Sequence, residues 1–153
     1  MKTNRNMADL LAVKATPGEI STDFRMLVFG GFKEVEGHVF FRRLFPHDHA
    51  EGLPLHHDST GYECAVNSIR LEDYLERDTS REPAILAATA LKYAQFLAER
   101  LREVSSDTFR IIASVSGKRA KMRFHKMRNG ESWLTDDLEA YRDEAILVLD
   151  SRE

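Results

Sequence analysis

The chain has 153 residues, 42% of them hydrophobic and 31% charged, a composition that excludes a disordered or fibrous protein. Its length predicts one domain spanning 1–153 around one core, with residues 1–20 as a loosely docked N-terminal segment. The net charge of −3 argues against attraction of the whole protein to nucleic acid, and the single cysteine, Cys64, excludes an intramolecular disulfide.

The N-terminal residues favour a cytoplasmic protein with no membrane partner. They lack the long apolar core of a secretory signal, and no run in the chain approaches the roughly 18 apolar residues of a membrane helix. The spacing of Met7, Leu10, Leu11 and Val13 is typical of a short docking helix or a frayed end.

The first half of the chain contains three stretches that read as strands. FRMLVFGGF at residues 24–32 and HVFFRRLF at residues 38–45 are rich in aromatic residues and predict a β-hairpin, with Gly30 and Gly31 as a bulge or a close backbone approach. In GYECAVNSIRL, Tyr62, Cys64 and Val66 alternate with their neighbours, which predicts a third strand.

A long helix is predicted at about 80–104. Thr79 and Glu82 have the spacing of a capping box, and Pro83 suits the first turn, where a missing N–H costs little. Apolar residues recur along one stripe and polar residues along the opposite side, so we expect this helix to pack across a sheet.

The segment TFRIIASVSGKRAKMRFHKM predicts a second hairpin with a definite register. A two-residue loop at Gly117 and Lys118 pairs Val115 with Ala120, Ala113 with Met122 and Ile111 with Phe124, all apolar against apolar. The other face pairs Ser116 with Arg119, Ser114 with Lys121, Ile112 with Arg123 and Arg110 with His125. A slip by one residue would expose the apolar face, so the register is well specified.

The C-terminal segment predicts a short acidic helix capped by Thr135 and a last strand over 144–150. Together the elements indicate an α+β fold: an antiparallel or mixed β-sheet covered on one face by one long helix, with short extra helices.

One stretch, FPHDHAEGLPLHHDSTGYEC at residues 45–64, is rich in histidine and carboxylate, the commonest protein ligands of zinc and iron. The candidate ligands are His47, His49, His56, Asp58 and His125. His56, Asp58 and His125 have the order of a non-haem iron facial triad, but the long helix between them and the few strands do not suit such an enzyme. The alternative is a polar connection, since Pro, Gly, Asp and Ser favour turns.

Signatures of other enzyme classes are missing from the sequence. There is no G-x-S-x-G nucleophile motif, no P-loop and no dinucleotide-binding G-x-G-x-x-G. Cys64 has no basic neighbour in sequence to activate its thiolate and is predicted to be a small buried residue.

The basic strand over 118–128 is the remaining candidate site. Arg119, Lys121, Arg123 and His125 share one face, and an acidic segment with Asp136 and Asp137 follows. Such a stripe suits an acidic protein surface or a phosphate backbone, although no aromatic residue interleaves the stripe on that face. The alternative is a solvent-exposed strand face with no binding role, neutralised by the downstream carboxylates.

The leading hypothesis is therefore a small, non-enzymatic binding protein that acts on a protein partner through a charged surface and needs no cofactor. In size and composition the chain resembles the immunity proteins that neutralise bacterial toxins, a resemblance that covers no specific motif. Two alternatives remain: a metal-dependent enzyme using Zn or Fe at the histidine-rich segment, and a nucleic-acid-binding module using the basic strand.

Overall fold

The computed structural model describes residues 1–45 and 58–153 and shows a mixed α+β fold. Its main sheet has five antiparallel strands in the order β1-β7-β5-β6-β4, and a separate hairpin pairs β2 with β3. The strands are β1 (Lys2–Thr3), β2 (Phe32–Val35), β3 (His38–Phe41), β4 (Ile69–Arg70), β5 (Phe109–Ser116), β6 (Arg119–Lys126) and β7 (Ala145–Asp150). The helices are α1 (Arg5–Ala12), α2 (Thr22–Phe29), α3 (Ser59–Val66) and α4 (Pro83–Val104), with short 3-10 helices at Leu71–Tyr74 and Leu138–Ala140. The predicted fold class is confirmed.

The hairpin of β5 and β6 has the register that its sequence predicts. All seven predicted pairs are present, from Ser116 opposite Arg119 to Arg110 opposite His125. Gly117 has a φ of +57°, which a glycine adopts without strain in a two-residue loop of this kind.

The long helix α4 is also confirmed, but its predicted cap is wrong. It lies across the sheet and buries an apolar stripe that includes Leu86, Ala90, Leu97 and Leu101. Glu82 is the N-cap residue and makes no side-chain cap bond, so Thr79 and Glu82 do not form a capping box. The start is defined by Pro83, whose fixed φ suits the first helical position.

The predicted strand over 24–32 is wrong, since most of it belongs to helix α2. Ser21 caps this helix by accepting a bond from the Phe24 amide at 3.0 Å. The buried residues Phe24, Leu27 and Val28 have helical spacing. The helix ends at Gly30, and the next residue, Gly31, has a φ of +88°, which favours glycine. The two glycines are thus a helix terminator.

The first hairpin is correspondingly shorter than predicted. It consists of β2 and β3 joined by Glu36 and Gly37, whose φ values of +51° and +79° are those of a two-residue hairpin turn. The second predicted strand, over 38–45, contributes its first four residues as β3, and the first contributes only its last residue, Phe32, to β2.

The predicted third strand is likewise wrong, because residues 59–66 form helix α3. Asp58 caps α3, with its side chain accepting from the Gly61 amide at 2.7 Å. The buried residues with helical spacing, Thr60, Glu63 and Asn67, are polar, whereas the buried apolar residues Tyr62 and Cys64 are two positions apart. The apolar alternation in the sequence therefore hid the true period, and only Ile69–Arg70 is a strand.

The two faces of the main sheet are covered unequally. On one face, α1, α2 and α4 enclose the large core. On the other face a small cluster of Ile112, Ile146 and Val148 is covered by Leu134, Leu138 and Tyr141. The segment that supplies this cover contains a 3-10 helix capped by Asp137, where the sequence predicted an acidic helix capped by Thr135. The predicted cap at Thr135 is therefore wrong.

The N-terminal residues are held by the sheet. Strand β1 pairs with β7, and the Asn4 side chain accepts from the amides of Met7 and Ile146 at 3.1 and 2.9 Å. Met7 is fully buried, while Val13 is exposed. Within residues 1–45 and 58–153, no helix has both the length and the apolar character needed to cross a membrane.

Candidate binding face of the sheet

The basic side chains of β6 lie on the face of the sheet opposite α4. Arg119 and Lys121 are exposed there, and their partners across the strand pair are Ser116 and Ser114. The edge strand β4 adds Arg70 beside Lys121 in register. We call Arg70, Arg119, Lys121, Arg123 and Trp133 the basic face.

Trp133 brings an aromatic ring to this face, which the sequence did not predict. The Arg123 guanidinium carbon lies 4.9 Å from the centroid of the Trp133 ring, a cation–π contact. The ring remains 40% exposed. The irregular segment after Gly130 places it there, so no strand or helix periodicity in the sequence signals the contact.

His125, predicted to share this face, is removed from solvent. It is 2% exposed, and its Nδ1 lies 2.9 Å from the Lys126 carbonyl oxygen. Nε2 has no hydrogen-bond partner among the residues that the structure describes. Burial lowers the pKa of His125 and favours the neutral ring. The exposed basic stripe therefore ends before His125.

The acidic residues predicted for the binding surface, Asp136 and Asp137, make different contacts. Asp137 accepts from the Glu139 amide at 3.0 Å and caps the 3-10 helix. Asp136 lines a cavity of about 140 Å³ together with Arg110 and Lys2. Both aspartates are exposed.

Arg110, by contrast, has a firm carboxylate partner that the sequence analysis did not single out. Asp150 on the neighbouring strand accepts two bonds from its guanidinium, at 2.7 and 2.8 Å. This hydrogen-bonded carboxylate raises the pKa of Arg110. The pair neutralises the end of the sheet face where His125 is buried, so the free basic charge is concentrated near the β5–β6 turn.

The metal-site hypothesis falls mainly on residues that the structure does not describe. His47, His49 and His56 lie outside the described ranges, while Asp58 and His125 lie within them. Asp58 is engaged as the cap of α3, and His125 is buried as above. Over residues 1–45 and 58–153, no group of three or more His, Cys, Asp or Glu side chains is arranged to hold a metal ion.

Helix α3 carries a buried polar network that the sequence analysis missed. Glu63 is fully buried, and its carboxylate accepts from the amides of Val39 and Lys126, each at 2.7 Å. Arg128 donates to both Glu63 oxygens, at 2.8 and 2.9 Å. The carboxylate raises the pKa of Arg128 through these hydrogen bonds.

Asn67, one helical turn after Glu63, completes this network. It accepts from the Phe41 amide at 2.9 Å and donates to the carbonyl oxygens of Val39 and Phe124 at 2.9 and 3.2 Å. The two side chains thus join the β2–β3 hairpin to β6 where no strand lies between them. A Glu and an Asn four residues apart were the only sequence signal, and that spacing alone is common.

Ser59 and Cys64 are two nucleophile candidates in α3, and among the residues that the structure describes neither has the groups that nucleophilic catalysis needs. His38 Nε2 lies 2.9 Å from Ser59 Oγ, and Nδ1 lies 3.1 Å from the Val35 carbonyl oxygen. However, the amides beside Ser59 already bind the Glu131 and Asp58 carboxylates, which leaves those amides unavailable to a developing oxyanion.

Cys64 is fully buried, and burial raises the pKa of its thiol to about 12. It is a neutral thiol packed in the interior, because the thiolate, which is the reactive form, would be strongly disfavoured there.

The fold and the site together define an α+β protein with an exposed basic and aromatic face on its sheet. A family model, described as the Uncharacterized protein PM0498 family, matches residues 2–153, and the chain belongs to this family. No curated protein and no solved structure matches the chain.

Proposed function

We propose that the protein is a non-enzymatic binding protein whose basic face recognises an acidic surface of a partner protein. The observation that carries this proposal is the exposed Trp133 ring held against Arg123, beside the exposed Arg119 and Lys121. In its specific form, the partner is a toxin that the protein neutralises in the cytoplasm, as immunity proteins do.

The composition of this face supports a protein partner. Trp and Arg are the residue types that most often dominate binding energy in protein interfaces, and Trp133 is already fixed by its contact with Arg123. Exposed Arg119 and Lys121 would steer an acidic partner and set its orientation. Because the chain as a whole carries a net charge of −3, attraction of an acidic partner has to come from a local basic face.

The test compares partner capture by variants of the basic face. Cross-linked complexes are recovered from the native cell with the wild type, with Arg119→Glu/Lys121→Glu and with Trp133→Ala. The control is Arg77→Glu/Arg81→Glu, which makes the same charge change at two exposed residues before α4.

We expect an acidic protein to be recovered with the wild type and the control, and to be lost with both variants of the face. Its measured affinity for the purified protein should fall as salt rises. Equal recovery with all four proteins would overturn the proposal, since the contact would then lie elsewhere.

A second candidate function, nucleic-acid binding, is favoured by one observation. Trp133 lies beside the basic strand and supplies an aromatic ring on which a base can stack, a ring that the sequence analysis did not place there. This candidate predicts that the captured material is destroyed by nuclease and that the logarithm of affinity falls linearly with the logarithm of salt. Recovery of nucleic acid alone would replace the protein-partner proposal with this one.

A further inference from the structure

A cavity of about 370 Å³ lies between the ends of α2 and α4 and the β2–β3 hairpin. Its apolar walls come from Phe32, Val39, Val104 and Phe109. Phe109 and Val39 are buried, whereas Val104 is 48% exposed at the rim. The volume is at the lower end of the range of small-molecule pockets, about 300–1,000 Å³.

Two opposite charges lie on the wall of this cavity. Glu34 and Arg42 both line it, and both are exposed. Arg42 is positioned by its Nη2, which donates to the Phe32 carbonyl oxygen at 3.0 Å. Glu34 follows Phe32 by two residues on the same face of β2 and faces Val39 across the hairpin.

The two charges are not paired with one another among the residues that the structure describes, although both border the same space. A purely anionic ligand would bring its charge towards Glu34, and a purely cationic one towards Arg42. A ligand with both charges would satisfy each group and leave neither facing a like charge.

We infer that this cavity binds a zwitterionic α-amino acid with a large apolar side chain. Arg42 receives the carboxylate, because its guanidinium can donate two parallel hydrogen bonds to it. Glu34 receives the ammonium group, and the apolar side chain packs against Phe32 and Val104. None of these residues belongs to the basic face, so the site is independent of the proposed function and either can fail alone.

The test is a titration followed by amide chemical shifts in NMR. The probes are L-phenylalanine, 3-phenylpropionate, which lacks the ammonium group, and 2-phenylethylamine, which lacks the carboxylate. L-leucine and glycine test the size of the side chain. We expect saturable shifts at Gly30, Gly31 and Ser105 with the two apolar amino acids, and at least tenfold weaker binding of the other three probes.

Charge-removing variants identify the groups responsible. Arg42→Gln and Glu34→Gln should each weaken L-phenylalanine binding at least tenfold, while the control Arg77→Gln, at an exposed arginine that does not line this cavity, should leave it unchanged. All three residues are exposed, and far-UV circular dichroism verifies that each variant is folded. Equal binding of all the aromatic probes, or no saturable shift at the cavity amides with either apolar amino acid, would overturn the inference.

Discussion

Replacing Arg128 by Met should destabilise the protein strongly, because it would leave the Glu63 carboxylate buried without its cationic partner. Glu63 is 0% exposed, and Arg128 supplies two of its four hydrogen bonds. Removing one partner of a buried ion pair costs about 3–5 kcal/mol. Since domains of this kind unfold with about 5–15 kcal/mol, the loss would be a large fraction of the total.

Urea unfolding followed by circular dichroism at neutral pH measures this loss as a lower midpoint with an unchanged slope. The matched control is Arg70→Met, which breaks the Arg70–Asp73 pair. Its side chains are 72% and 55% exposed. An exposed pair of this kind contributes about 0–1 kcal/mol, so the control should shift the midpoint little.

A double variant measures the coupling between Glu63 and Arg128. Glu63→Gln removes the charge but also replaces one acceptor oxygen by an NH2 group that faces the Val39 or Lys126 amide, so it has a cost of its own. If the charge is what Arg128 compensates, the double variant Glu63→Gln/Arg128→Met should lose less stability than the sum of the two single variants. If the two losses simply add, or if Arg128→Met costs no more than Arg70→Met, the account of Glu63 as a buried charge held by Arg128 is refuted.

Three further predictions concern single groups. Because burial raises the pKa of Cys64 to about 12, a thiol reagent should not label the native protein and should label it rapidly in urea. Burial lowers the pKa of His125, so the unfolded chain binds its proton more tightly. The contribution of the neutral His125 ring to stability should be present above about pH 6.5 and be lost as pH falls towards the lowered pKa. Urea midpoints should therefore fall more between about pH 7.5 and pH 5.5 in the wild type than in His125→Gln. The metal-site alternative predicts near-stoichiometric Zn or Fe by elemental analysis, lost in His56→Ala, and metal-free protein after supplementation would remove it.

The elements that could be predicted are those in which local and long-range signals agree. In β5 and β6, a two-residue loop that begins with glycine and an alternation of apolar residues specify the same register. The predicted partners of Val115, Ala113 and Ile111 are therefore correct. In α4, Pro83 and a long apolar stripe coincide, and 22 residues give enough turns to define the period.

The two misassigned helices are short and conceal their period. In α2, the aromatic run gave no clear alternation, and the informative residues were the caps, Ser21 before the helix and Gly30 after it. In α3, the polar Thr60, Glu63 and Asn67 are buried together with Tyr62 and Cys64, so the apolar residues alone show an alternation instead of the helical period. A buried polar face is recognised only when its partners are known.

The contacts of the candidate binding face could also be predicted only in part. The basic residues of β6 could be placed on one face because strand geometry is periodic, but the approach of Trp133 to Arg123 depends on an irregular segment. The carboxylate that holds Arg128 is 65 residues away in the chain. Contacts of this kind depend on packing, and a sequence pattern does not encode them locally.

Helix α3 links the β2–β3 hairpin to the main sheet. The stability of the protein and the shape of the cavity beside this hairpin therefore depend on the same helix. Strand β4 covers only Met122 and Lys121 on the outer edge of β6. Further along β6, Glu63 and Asn67 bind its backbone at Lys126 and Phe124 in place of a strand, and they hold β3 at the same time.

Loss of Arg128 should therefore loosen the β2–β3 hairpin before it disturbs the β5–β6 turn. Because the hairpin carries one wall of the cavity, Arg128→Met should weaken L-phenylalanine binding under conditions in which the protein is still folded. Partner capture through Arg119 and Lys121, at the opposite end of β6, should be retained, since their strand pairing does not involve α3. Parallel loss of both activities in the folded variant would contradict this division, and would mean that the hairpin and the basic face respond to α3 as one unit.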